Sequence, residues 1–123
     1  MASSVPPAMN GIDSRNLPPL IRRVVARFVR AFAPERIVLF GSYAKGTNSP
    51  SSDVDLLIVA DLDGDPLFHL RRARQLSLDC FPRVDVVFAT RDDINGAANA
   101  RSPFLLSILQ SGFAVYGLGV RGN

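Results

Sequence analysis

The sequence is short of the residues that build several common kinds of site. Its 123 residues include one cysteine, Cys80, one histidine, His69, and no tryptophan. A single cysteine excludes an internal disulfide framework, so we expect a cytoplasmic location, where thiols stay reduced. His69 has no histidine, cysteine or glutamate nearby at ligand spacing. We interpret it as a histidine at the surface or the core edge, and not as a metal ligand or a base.

Long apolar runs are missing as well. No stretch approaches the length of a membrane span, and the N-terminus lacks the charged-then-apolar pattern of a signal peptide, so we expect no membrane association. Lysine is nearly absent, since 13 of the 14 basic residues are arginine, and the net charge is +3. So mild a positive charge permits an anionic substrate without arguing for it, and we expect no nucleic-acid partner.

What is present is enough for one domain with a real core, because 47% of the residues are hydrophobic. Residues 1–16 are small and polar, and we expect a disordered lead-in. Residues 17–117 form the predicted domain, and residues 118–123 a flexible tail. The domain contains segments with helical periodicity and short apolar runs typical of strands. Together they predict an α/β (α+β) fold with a small mixed sheet flanked by helices.

The first helix is expected to begin near Pro18, because proline is tolerated in a first turn. Apolar residues at helical spacing predict its core face, and arginines occupy the rest. We interpret this arginine face as solvated, the alternative being a basic surface for an acidic partner. The apolar set is Leu20, Val24, Val25, Phe28 and Phe32, and the basic set is Arg22, Arg23, Arg27 and Arg30.

The chain is organised around residues 40–59, where one apolar strand runs into Gly-Ser and a second one opens with Asp-x-Asp. Side chains alternate along a strand, so Asp53 and Asp55 should point the same way. Their neighbours are apolar on both faces, which predicts a covered strand. Two carboxylates there repel each other unless a cation compensates, and oxygen ligands favour Mg²⁺. The alternative is a solvated strand entrance.

A third aspartate, Asp85, lies within a short valine-rich strand. Residues 61–82 have the length and helical pattern of a crossover between parallel strands. If the two strands are parallel neighbours, Asp85 lies level with Asp53 and Asp55, and the three carboxylates converge. The alternative is an isolated aspartate facing solvent on an edge strand.

Gly41 and Ser42 stand at the predicted strand-to-helix turn. Such a turn offers backbone N–H groups and a hydroxyl to an anion, and glycine allows a phosphate to approach closely. Lys45 is near enough in sequence to pair with phosphate oxygens, the alternative being a plain surface lysine. Phosphates beside a carboxylate-held metal indicate transfer of a phosphorus-containing group, with two ions in the usual arrangement.

Later boundaries follow from local signals. Asp65 is expected to cap a helix from Pro66 to about Cys80 that buries Leu67, Leu70, Ala73 and Leu76. Thr90 and Asp93 resemble a capping pair for a short turn, followed by a polar loop over residues 95–101. Ser102-Pro103 should start the last helix, and Gly112 should end it as a C′ glycine. The first two strands should be antiparallel, because their connected ends meet at one site.

Gly41-Ser42, ten further residues and then Asp53-Val54-Asp55 together resemble the DNA polymerase β-like nucleotidyltransferase superfamily, and most closely its minimal nucleotidyltransferase (MNT) group. The strand around Asp85 is similar to the family's third-aspartate strand. The likeness covers roughly residues 20–117. It implies metal binding by Asp53, Asp55 and Asp85, and triphosphate binding by Gly41 and Ser42. Tyr43 departs from the basic residue of many relatives.

The resemblance implies an enzyme that uses Mg²⁺ and ATP. Small MNT proteins resemble antitoxins paired with HEPN-domain toxins, which implies AMP transfer to a hydroxyl of a helical partner protein. Larger relatives carry an acceptor-binding domain, so here we expect the acceptor to come from another chain, a second copy, or a small molecule held at a dimer seam. The alternatives are an antitoxin that acts by contact alone and a small-molecule transferase resembling aminoglycoside nucleotidyltransferases that works as a dimer.

Overall fold

The computed structural model describes residues 17–98 and 102–117. They form a mixed four-stranded sheet with flanking helices, which confirms the predicted fold class. The proposed limits at residues 16 and 118 stay predictions, because both outer segments lie outside the described residues. The elements in chain order are α1 (Pro19–Phe32), β1 (Arg36–Phe40), α2 (Ser42–Lys45), β2 (Val54–Val59), α3 (Pro66–Leu76), β3 (Val84–Ala89), α4 (Arg91–Ala98), α5 (Pro103–Ser111) and β4 (Phe113–Gly117).

The strand order across the sheet is β3-β2-β1-β4. Strand β1 pairs antiparallel with both β2 and β4, whereas β2 and β3 are parallel. The antiparallel first pair and the parallel second pair are both as predicted. Helix α3 provides the crossover that two parallel neighbours require. Among the described helices, none has the length and apolar character needed to cross a membrane.

The core lies on both faces of β2, whose side chains are almost all buried. Leu56 and Ile58 pack on the face covered by Phe28 of α1, and Leu57 packs on the face covered by Ile108 of α5. An apolar strand without polar alternation is typical of a strand covered on both sides. This double burial holds the start of β2 rigid, and the two aspartates of the Asp-x-Asp doublet lie there.

Helix α1 begins where the prolines predicted, and four of its five expected core residues are buried. Leu20 is only half-buried, and Ile21, which was not in the predicted set, is fully buried. The predicted core face of α1 is therefore confirmed from Val24 onward. In the first turn, the buried residue is Ile21 and not Leu20.

Helix α3 differs most from expectation. Asp65 caps it as predicted by accepting a hydrogen bond from the backbone N–H of Leu67 at 3.0 Å. However, Leu67 and Leu70 are exposed, and only Ala73 is buried. Leu76 is partly buried against the core, so the predicted core face holds for the second half of the helix. It was wrong for Leu67 and Leu70, because β3 is the edge strand of the sheet and leaves this part of α3 uncovered. The helix also ends at Leu76 and does not reach Cys80.

Two other expectations need correction. Residues 95–98, predicted as loop, continue helix α4, whose Thr90 and Asp93 form the expected reciprocal cap. Residues 99–101 of the predicted loop lie outside the described residues. Gly112 ends α5 but has φ −92°, so it does not adopt the left-handed conformation of a C′ glycine. A Cβ at Gly112 would approach the carbonyl oxygen of Leu39 to 2.6 Å, so close packing requires glycine there.

His69 lies at the core edge, as predicted. Its Nε2 atom is 2.6 Å from the carbonyl oxygen of Asp63, and because a carbonyl only accepts, Nε2 carries the proton. The ring stacks edge-on against Phe32 and Phe68. These contacts give the histidine a structural role and leave it outside the aspartate region.

An ion pair ties α1 to the segment after α3. The guanidinium of Arg27 donates to both carboxylate oxygens of Asp79, at 2.6 and 3.1 Å, and to the carbonyl of Leu76 at 2.9 Å. The hydrogen bond from Arg27 lowers the pKa of the Asp79 carboxyl below its usual value. One of the four arginines on the first helix is therefore used in folding and is not available to a partner.

We expect Asp79→Asn to lower the Tm at pH 7. A carboxyl whose pKa is depressed by folding stabilises the native state above its unfolded pKa of about 3.9 and loses that contribution as the pH falls through its folded value. The difference from wild type should therefore disappear in strong acid. Thermal unfolding followed by circular dichroism at pH 7 and pH 3 measures it, with the exposed Asp63→Asn as control. A difference that persists unchanged at pH 3 would contradict the assignment.

Candidate active site

The three predicted aspartates lie at one end of the β2–β3 pair. Asp55 of β2 and Asp85 of β3 are direct register partners, so Asp85 is level with Asp55 as predicted. Asp53 immediately precedes β2 and is exposed, whereas Asp55 and Asp85 are half-buried. Neighbouring strands lie about 4.8 Å apart, which brings two carboxyl-bearing positions side by side.

At this end of β2 and β3, the surroundings of Asp55 shift its pKa upward. Burial raises the pKa of its carboxyl, and the negative charges of Asp85 and then Asp53 raise it further. Each effect disfavours the ionised carboxylate, since burial removes water and the neighbours repel its charge. The protein alone therefore leaves negative charge at this edge that it does not fully compensate, and a cation bound there would relieve this repulsion.

Arg83 is a member of this site that the sequence analysis missed. Its Nε lies 3.1 Å from Oδ1 of Asp85, and the Arg83 side chain is exposed whereas that of Asp85 is half-buried. The available signal was spacing, because residues two apart in an extended segment project to the same side. In this structure Arg83 neutralises part of the charge of Asp85 and holds one of its oxygens.

Gly41 contacts the site through its backbone. It follows β1, whose last residue, Phe40, pairs with Asp55 across the sheet. Its φ of +76° is one that residues with a side chain rarely adopt, and a Cβ built there would collide with Oδ2 of Asp55. The predicted strand-to-helix turn is thus present, and it requires glycine both for its conformation and for the space that the Asp55 carboxylate fills.

The other two predicted anion-binding residues lie on the single turn α2. Ser42 begins this turn and is half-buried, and Lys45 ends it and is exposed. The backbone N–H of Lys45 donates to the carbonyl of Gly41 at 3.1 Å, and that of Thr47 donates to Ser42 at 3.0 Å. The structure therefore brings Gly41 next to Asp55, with Ser42 directly after it, and it places Lys45 at the other end of the same turn.

The chemistry of the donor set fits a hard divalent cation. The candidate ligands are carboxylate oxygens, which Mg²⁺ prefers, and they include a half-buried group disfavoured in its charged state. Across residues 17–98 and 102–117, however, no three His, Cys, Asp or Glu side chains are already arranged to hold a metal ion. The site is therefore open, with Asp85 turned to Arg83, and the metal-binding roles of Asp53, Asp55 and Asp85 stay predictions.

A family model described as the nucleotidyltransferase domain matches residues 21–101. A protein of Methanocaldococcus jannaschii named "Putative protein adenylyltransferase MJ0604" is 50% identical over 36 residues, which make up 29% of this chain and 36% of that relative. The match therefore spans little more than a third of the relative's length.

Two crystal structures share the fold. One is of a toxin–antitoxin with AMP-PNP, with a TM-score of 0.54 and 24% identity over 76% of this chain and 71% of that chain. The other is of a mutant of the toxin–antitoxin MntA-HpeT, with a TM-score of 0.53 and 23% identity over 76% and 70%. The family model matches most of the domain, and the matched range includes the Asp-x-Asp doublet at the start of β2. The chain therefore belongs to the nucleotidyltransferase domain family.

Proposed function

We propose that this protein is a Mg²⁺-dependent nucleotidyltransferase that transfers AMP from ATP to a hydroxyl of a partner protein. The observation that carries the proposal is the pairing of Asp55 with Asp85 across two parallel strands, with the Gly41 turn against the Asp55 carboxylate. The family match supports a nucleotidyl transfer, and the name of the archaeal relative supports a protein acceptor.

In this proposal Asp53, Asp55 and Asp85 hold the metal, with two ions in the fully loaded site. Bound Mg²⁺ would neutralise triphosphate charge and favour deprotonation of the attacking hydroxyl. The rigid β2 strand fixes the direction of the Asp55 carboxylate. Asp85 must exchange its ion pair with Arg83 for this role, and Arg83 is then free to approach an anionic substrate.

Gly41 and Ser42 would bind the triphosphate, and Lys45 would approach its oxygens from the end of the turn. The hydroxyl oxygen of the acceptor attacks the α-phosphorus, a new P–O bond forms, and the bond to the bridging oxygen of the β-phosphate breaks. Pyrophosphate leaves with that electron pair, opposite the attacking oxygen. The hydroxyl proton passes to the carboxylate of Asp85 or to water, and AMP remains esterified to the acceptor.

We propose that the partner is a helical, HEPN-type toxin and that this chain is its antitoxin in the cytoplasm. This proposal is supported by the fold that the chain shares with chains of two toxin–antitoxin structures. One observation favours a second candidate, an antitoxin that acts by contact without chemistry. Asp85 is already paired with Arg83, which is an arrangement that a purely binding domain would tolerate.

The test is to incubate the protein with the product of its neighbouring gene, ATP and Mg²⁺, and to record intact masses. We expect the neighbour to gain one or more AMP units on a tyrosine hydroxyl, and the Asp53→Asn/Asp55→Asn variant to add none. Neutralisation of the neighbour by that variant, with no mass change in any reaction, would instead establish the contact-only antitoxin. AMP transfer to an aminoglycoside but not to the neighbour would indicate a small-molecule transferase.

A further inference from the structure

The exposed apolar surface of this domain is concentrated around α3. Seven large apolar side chains are exposed in the described segments, and five of them lie between residues 67 and 81. Phe68 is 59% exposed and Leu78 is 72% exposed. None of the seven is on α1, the other arginine-rich helix. Large apolar side chains grouped on one surface are typical of an interaction site.

This apolar group is surrounded by positive charge. Phe68 and Leu78 line a shallow cleft of about 530 Å³ together with Arg71, Arg72 and Arg74, and no acidic side chain lines it. In the described part of the chain, Arg71 and Arg74 form no ion pair. We call the surface formed by Phe68, Arg71, Arg74 and Leu78 the outer face of α3.

The outer face is continuous with the aspartate site. A second cleft, of about 480 Å³, is lined by Leu70, Arg71 and Arg74 on α3 and by Asp85 on β3. The two arginines therefore border both clefts, and they connect the exposed apolar side chains to a predicted metal ligand. A molecule that spans both clefts would reach Asp85.

We propose that the outer face of α3 is the docking site for an acidic amphipathic helix of the acceptor protein. The apolar stripe of such a helix would cover Phe68 and Leu78, and its flanking carboxylates would pair with Arg71 and Arg74. The binding surface is independent of the chemistry. The statements that the helix belongs to an acceptor protein and that docking brings its hydroxyl to Asp85 rest on the proposed function.

Charge complementarity selects this occupant over the chain's own segments outside the described residues. Outside the described residues the only acidic side chain is that of Asp13, so those segments cannot supply several carboxylates to the two arginines. The same charge argument separates α3 from α1. Arg22 and Arg30 are exposed on α1, but no exposed large apolar side chain accompanies them.

The test compares charge reversal on the two helices. The probe is a fluorescein-labelled helical peptide with leucines at i, i+3, i+4 and i+7 flanked by glutamates, and binding is followed by anisotropy. We expect Arg71→Glu/Arg74→Glu to weaken binding by about tenfold or more. Arg22→Glu/Arg30→Glu, which changes the net charge equally, should leave it within about twofold. Phe68→Ser/Leu78→Ser should also weaken binding, and circular dichroism verifies that each variant is folded.

Several results would overturn the proposal. These are wild-type affinity in the α3 variant, equal losses in both charge-reversal variants, tighter binding of single-stranded RNA at the same face, and a homodimer that the α3 reversal dissociates. Intact-mass measurements with the neighbouring gene product separate this proposal from AMP transfer. If the α3 variant modifies the neighbour at the wild-type rate, docking there is excluded while transfer stands. If the peptide binds as expected but no AMP is transferred, the docking surface stands and the transfer does not.

Discussion

The Asp53→Asn/Asp55→Asn variant should lose AMP transfer by a factor of roughly a thousand or more while remaining folded. Both carboxylates are predicted to hold the metal, and asparagine cannot supply the charge that compensates it. Burial and the charges of Asp85 and Asp53 raise the pKa of Asp55, so the ionised pair is unfavourable in the native state without metal. We therefore expect the variant's Tm to rise by about 2–5 °C in the absence of metal.

The matched control is Asp63→Asn/Asp92→Asn. This variant also removes two negative charges, but from exposed side chains that follow β2 and β3, whereas the predicted metal ligands lie at the start of these strands. It should keep wild-type transfer and gain no stability. Transfer is followed by intact mass, and Tm by circular dichroism with and without Mg²⁺. In excess chelator, wild type should add no AMP, and ATP should bind weakly. Full activity in Asp55→Asn, or in excess chelator, would rule out the assigned metal-binding role.

Gly41→Ala is expected to have the second largest effect, lowering both stability and transfer. A residue with a Cβ at this φ of +76° carries backbone strain of about 1–3 kcal/mol. In addition, its Cβ would collide with Oδ2 of Asp55 and lie 3.1 Å from Cγ. Because β2 is packed on both faces, the Asp55 side chain must move while the strand stays. Displacing this carboxylate should lower transfer by about a hundredfold or more.

Two variants separate strain from collision. Gly64 also has a positive φ, +91°, but nothing lies within 4 Å of a Cβ built there, so Gly64→Ala tests strain alone and should not affect transfer. In the Asp55→Ala background the colliding Oδ2 and Cγ are absent, so Gly41→Ala should cost less stability than in wild type. Chemical denaturation measures these free energies of unfolding. An equal loss in both backgrounds would show that Gly41 acts through backbone strain only.

Much of the fold could be predicted because its signals are local. Pro18 marked the start of α1, Asp65 capped α3 through the N–H of Leu67, and Ser102 capped α5 through the N–H of Leu105. The level of Asp85 with Asp55 was also predictable, since a helical crossover makes two strands parallel. The predicted boundaries were less accurate where no such signal exists. Helix α3 ends at Leu76 and not near Cys80, and α4 continues through residues 95–98, where a loop was expected.

The amino-acid sequence by itself determined which residues are predicted to carry the chemistry, because residue type and spacing identify Gly41-Ser42, the Asp-x-Asp doublet and the strand around Asp85. Tertiary structure decided what each of these residues touches. The pairing of Arg83 with Asp85, the space that Gly41 leaves for the Asp55 carboxylate, and the exposure of Leu67 and Leu70 all depend on neighbours from other parts of the chain. Periodicity shows that a helix has an apolar face, but the width of the sheet determines whether anything covers it. Since β3 is an edge strand, part of the apolar face of α3 remains in solvent.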